Sequence, residues 1–138
     1  MDNIISSKSL EFVLKTKKKN KGAHFTVKSL VTGKEYTFAI SRREWNDKWY
    51  TNVEVEIGYM NFSKLGYYFD GNIINKGKVN TPAAIAIAWI LKKVEEGKFS
   101  LLDENVHIMH TGSCLKCGRI LTDSISIERG LGPICANI

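Results

Sequence analysis

Cysteine is scarce in this chain: three in 138 residues, all within the last 25, at Cys114, Cys117 and Cys135. Three cannot form a closed disulfide set, so a disulfide-stapled secreted scaffold is excluded. Proline is scarcer still, with only Pro82 and Pro133, and there is no Pro- or Ser-rich linker, internal repeat or low-complexity tract. Long apolar runs are missing too. The longest is Ala83 to Leu91, too short for the roughly 20 residues that span a bilayer. Met1–Ile5 lacks the basic flank and long apolar stretch of a signal peptide. The expectation is a cytoplasmic protein without a membrane partner. Nor is there a phosphate-binding Gly loop, a nucleophile elbow or a carboxylate pair at helical spacing. Asp103-Glu104 reads as a polar loop, so no enzyme and no small-molecule substrate are expected.

What is present points to a folded domain. Apolar residues make up 43% and charged residues 25%, which excludes disordered and collagen-like classes. The formal net charge of +6 is concentrated. Residues 1–50 hold eleven Lys/Arg against five Asp/Glu, and the rest of the chain balances. Such asymmetry suits an acidic partner, nucleic acid above all.

Period-two alternation runs through Leu10, Phe12 and Leu14, then Phe25 and Val27, then Tyr36, Phe38 and Ile40, and again Val53, Val55, Ile57 and Tyr59. One buried and one wet face per strand predicts an antiparallel meander. Lys17-Lys18-Lys19-Asn20-Lys21-Gly22 reads as a polar hairpin tip, Thr32-Gly33 as a turn, and Asp70-Gly71 as a two-residue hairpin between Tyr67-Tyr68-Phe69 and Ile73-Ile74. A helix follows, with Thr81 as N-cap, Pro82 first and Gly97 as stop. Ile87, Ile90, Leu91 and Val94 share one face, which Ala84, Ala88 and Trp89 broaden. The expected fold is α+β: a sheet of about five to six antiparallel strands packed by one main helix over residues 1–100, with a zinc-knuckle subdomain over 101–138.

That tail carries the chemistry. Cys114-x-x-Cys117 followed by Gly118 is a knuckle whose tight turn points backbone N–H groups at the sulfurs. Cys135 supplies a third thiolate, and His110, four residues before Cys114, is the first choice for the fourth ligand. His107 is its competitor, although the alternation around it suits a strand. A thioredoxin-type redox pair would follow a strand and open a helix. A catalytic zinc would need an acid–base group such as a His-x-Glu glutamate, and none stands beside His110. One structural zinc is the expected cofactor.

The segment Cys114-Leu-Lys-Cys117-Gly118-Arg119-Ile-Leu121-Thr122-Asp123, with Ser126-Ile127 and then Gly130-Leu-Gly132-Pro133-Ile-Cys135, resembles a zinc-binding module of small proteins, largely from tailed phages and prophages, known as a domain of unknown function. Ser124 stands where that family often has Pro. A His shortly before the first Cys is frequent there, in keeping with His110. A weaker likeness reaches upstream to about residue 55. The resemblance implies a phage origin, hence host cytoplasm, and a zinc; it implies no activity.

Two functions compete. Lys17, Lys18, Lys19 and Lys21 suit phosphate contacts, and Arg42, Arg43, Trp45, Lys48 and Trp49 interleave cations with aromatics as a single-strand stacking surface does. The first reading is therefore a zinc-binding accessory protein that binds nucleic acid through its basic half. The alternative is an interaction module that binds and inhibits or redirects a host or defence protein, with Trp45, Trp49 and Tyr50 as anchors.

Overall fold

A computed structural model of the chain describes residues 4–11, 14, 23–58, 61–74 and 82–110. Seven strands form one antiparallel sheet: β1 (Ile4–Ile5), β2 (Ala23–Ser29), β3 (Glu35–Trp45), β4 (Lys48–Gly58), β5 (Asn61–Phe69), β6 (Asn72–Ile74) and β7 (Val106–His110). Their spatial order is β1-β7-β2-β3-β4-β5-β6. Helices α1 (Pro82–Glu95) and α2 (Phe99–Asn105) come between β6 and β7. The fold is α+β as expected, and the described residues hold more strands and more helical segments than the sequence suggests.

Turn chemistry explains the central meander. Asn46 and Asp47, at φ 51° and 60°, close β3 onto β4; a tight hairpin that twists with its strands needs positive φ at both positions, which Asn and Asp tolerate. Asp70 and Gly71, at φ 48° and 84°, do the same between β5 and β6. The β2–β3 turn is longer. Ser29 Oγ accepts from the amides of Val31 and Thr32 at 3.2 and 3.1 Å, and Gly33 N–H donates to Ser29 O at 2.9 Å.

One face of the sheet is covered. Phe25, Val27, Phe38, Ile40, Val53 and Ile108 point into a core closed by Ala84, Ile87, Ile90, Leu91 and Val94 of α1 and Leu102 of α2. Each large apolar side chain buried there contributes about 1.5–3 kcal/mol. α1 stops where Gly97 takes φ 73°, a left-handed value favourable to glycine. Trp89 lies at the edge of the helix face, 39% exposed.

Two sequence expectations are corrected. Leu10, Glu11 and Leu14 are not in a strand: Ser7–Leu10 is a 3-10 helix capped by Ser6, and Glu11 and Leu14 are helical, while Phe12 lies outside the described residues. Leu10 and Leu14 are four residues apart, a spacing that puts them on one face of a strand or of a helix, so five residues of alternation fit either period. Asp103-Glu104 is not a loop; it lies in α2, where Asp103 Oδ1 accepts from Ser7 N at 3.0 Å. Residues 106–110, read from sequence as part of the tail, form β7 inside the sheet, paired with β1 and β2.

Tyr68, 3% exposed, donates its hydroxyl to Glu95 Oε1 and ties β5 to α1. Burial, and then the hydrogen bond to Glu95, push the phenol pKa well above its usual value. A raised folded-state pKa means the folded chain holds this proton more tightly. Its stabilisation is therefore complete below pH about 10 and lost as pH rises through the higher folded value. Tyr68→Phe should cost about 0.5–1.5 kcal/mol at neutral pH and flatten the alkaline limb of stability, measured by urea unfolding from pH 7 to 11.

Candidate functional site

The other face of the sheet carries no helix among the described residues, and it is curved. His24 on β2 and Phe62 on β5 bring their rings to 5.0 Å although β3 and β4 lie between their strands. Register shifts at Val53/Glu54 and Glu56/Gly58 mark where β4 and β5 bend; such bulges increase local twist. Ala39, beneath that ring pair in register with His24, leaves room for the curl.

On this open face β3, β4 and β5 bring four aromatic rings into a connected group. Tyr50 stands at the hub, with ring centroids 6.5 Å from Trp45, 6.3 Å from Tyr67 and 5.9 Å from Phe69. Registers explain the meeting: Arg43 faces Tyr50, Trp45 faces Lys48, and Asn52 faces Tyr67. Trp45 remains 66% exposed and Phe69 48% exposed. Lys64 places Nζ 4.3 Å from the Tyr67 ring centroid and donates to its hydroxyl at 3.0 Å. The surrounding cleft has a volume of about 750 Å³ and is lined by Arg43, Glu44, Trp45, Tyr50, Asn52, Glu54, Lys64, Tyr67 and Ile74. That size suits a small organic ligand or one nucleotide.

At the cleft floor, Asn52 is 6% exposed. Its Nδ2 donates to Ser41 Oγ and to Glu54 Oε1, both at 3.3 Å, while Oδ1 has no hydrogen-bond partner among the described residues.

The sheet divides the residues that sequence grouped together. Arg43, Trp45 and Lys48 belong to the open face. Arg42 and Trp49 belong to the covered one, because neighbours in a strand point to opposite sides. Arg42 is 8% exposed, donates from Nη1 to Thr51 Oγ1 at 2.7 Å, and has its pKa lowered by burial. It shares a cleft of about 360 Å³ with Trp49, Tyr68 and Glu95. Lys17, Lys18, Lys19 and Lys21 lie outside the described residues, although the element expected before them is helical where described. Sequence reasoning missed Tyr67, Phe69, Lys64 and Asn52. Strand parity about the Asp70-Gly71 turn already put Tyr67 and Phe69 on one face.

Of the four proposed metal ligands, only His110 is described. It ends β7 opposite Phe25, 3% exposed, on the covered face with Val106 and Ile108. His107, in register with Lys28, points to the other side. Three residues apart on a strand, the two histidines cannot converge on one ion. Cys114, Cys117 and Cys135 lie outside the described residues, and among the described residues no three His, Cys, Asp or Glu side chains gather to hold a metal. No described helix is long and apolar enough to cross a membrane.

No curated protein and no solved structure matches the chain. Residues 106–137, which begin with β7 and take in all three cysteines, match a family of unknown function, DUF6011.

Proposed function

We propose that this is a small phage-type accessory protein that binds single-stranded nucleic acid across the open face of its sheet and holds one structural zinc in its C-terminal segment. The observation that carries the first part is the ring group Trp45–Tyr50–Tyr67–Phe69, covered by no helix among the described residues and flanked by Arg43 and Lys64. Buried aromatics are accounted for by packing; four adjoining rings on an exposed sheet face, two of them at least 48% exposed, provide a surface on which bases stack whatever their sequence. The cleft itself balances cations and carboxylates, so phosphate neutralisation falls to cations outside it, such as Lys48, which pairs with Trp45, and, in this reading, Lys17, Lys18, Lys19 and Lys21.

For the zinc, the support is the donor set. Three thiolates and one imidazole suit a closed tetrahedral site that supplies a cross-link and no chemistry. Cys114, Cys117, Cys135 and His110 would hold it, with His110 fixing the site to the end of β7.

Trp45→Ala is the direct test. Losing a stacked base should cost about 1–3 kcal/mol of binding to a short single-stranded oligonucleotide, with the salt dependence unchanged. Fluorescence anisotropy at several salt concentrations reads both quantities. Wild-type affinity in this variant would count against the open face as the binding surface.

The second reading, docking on a host or defence protein, is favoured by an apolar groove of about 350 Å³ beside α1, lined by Val27, Val31, Tyr36, Ala86 and Trp89. Val31 there is 79% exposed. Such a contact would weaken little with salt, unlike one to phosphates.

A further inference from the structure

We infer that the open-face cleft reads one base of the bound strand, and that this base is guanine; the inference rests on the single-strand reading above and adds specificity to it. The reason is Asn52. Its amide is held in one orientation, because Nδ2 faces the Glu54 carboxylate at 3.3 Å and an ionised carboxylate only accepts hydrogen bonds. Oδ1 is therefore an acceptor, shielded from solvent and without a partner among the described residues. A buried polar atom left unpaired is costly, and native structures seldom keep one without a use. A ligand that relieves it must bring a donor.

A second acceptor stands beside it. Glu54 follows Asn52 by two residues on β4, on the same face, and lines the same cleft. Two neighbouring acceptors call for two neighbouring donors. On its Watson–Crick edge, guanine alone offers them, at N1–H and the 2-amino group. Adenine and cytosine set one amino group beside a ring acceptor, and thymine sets one N–H between two carbonyls. A guanine stacked against Tyr50 or Tyr67 would direct that edge at Asn52 and Glu54 and leave O6 and N7 for a cation, which Lys64, held over Tyr67, or Arg43 supplies. An arginine side chain from a partner protein also carries paired donors. Within the cleft Arg43 and Lys64 are matched by Glu44 and Glu54, but the chain as a whole carries a net charge of +6, which favours a ligand that brings phosphate.

The experiment measures anisotropy of labelled thymidine octamers carrying one central guanosine, adenosine, cytidine, inosine or thymidine. The guanosine octamer should bind about tenfold more tightly than the adenosine, cytidine and thymidine ones, as expected for a bidentate base contact. Inosine, which lacks the 2-amino group, should lose most of that preference. In Asn52→Leu the guanosine-to-thymidine affinity ratio should collapse to about one. If that variant fails to fold by circular dichroism, Glu54→Gln, which removes the carboxylate's second acceptor oxygen, should lower the same ratio. Equal binding of all five octamers overturns guanine reading and leaves strand binding standing. Absence of binding to any octamer at low salt overturns both. An arginine-rich peptide that binds more tightly than the guanosine octamer overturns guanine as the occupant.

Discussion

Chelating the proposed zinc, or replacing Cys117 by Ser, should unfold the C-terminal segment while most of the sheet survives. Structural zinc in small modules is worth on the order of 10–16 kcal/mol, as much as the 5–15 kcal/mol that holds a typical domain together. The cysteine-bearing segment is short and, although it holds several Leu and Ile, it has no aromatic residue, so in this proposal the metal supplies much of its folding free energy. The sheet has its own support. Phe25, Phe38, Ile40, Ile87 and Leu91 are almost fully buried, and β7 is held on both sides, by β1 and by β2. Far-UV circular dichroism during chelation should therefore lose a minor part of its signal first and the strand signal only on further denaturation. Elemental analysis should find one equivalent of zinc; less than half an equivalent would defeat the metal assignment. A single cooperative loss of all structure would mean that sheet and tail share one core, coupled through His110 on the covered face.

Changing Lys17, Lys18, Lys19 and Lys21 together to Glu should abolish nucleic-acid binding. The substitution converts a formal charge of +6 to −2, replacing attraction for phosphates with repulsion. Each phosphate contact contributes about 0.7 to the slope of log affinity against log salt on a single strand, so four lost contacts lower that slope by about 2.8. Trp45→Ala should act on the intercept and leave the slope alone, which separates a stacking residue from a phosphate-binding one within one titration. Circular dichroism checks that the quadruple variant still folds. If the wild type binds no oligonucleotide even at low salt, the nucleic-acid reading fails and docking on a host or defence protein takes its place.

Local residues alone determined much of this protein. Asp70-Gly71 had to turn, because few other pairs take positive φ twice. α1 had to stop near Gly97, and the alternation through Phe25–Val27, Phe38–Ile40 and Val53–Val55 assigned their buried face. These are short-range steric and hydrophobic rules, and they act within a few residues. Leu10–Leu14 lay beyond them, since Leu10 and Leu14 satisfy a strand and a helix equally and only packing against the core selects. The candidate site was legible in part. Trp45 and Arg43 were identifiable as an aromatic and a cation, but their separation from Trp49 and Arg42 depends on strand parity through a turn formed by Asn46 and Asp47. Tertiary structure decided the rest: β7 entered the sheet between β1 and β2, Tyr67 and Phe69 joined Tyr50, and Asn52 was buried with one oxygen unpaired. Those contacts join residues distant in sequence, and they exist only once the sheet has closed its register and curled.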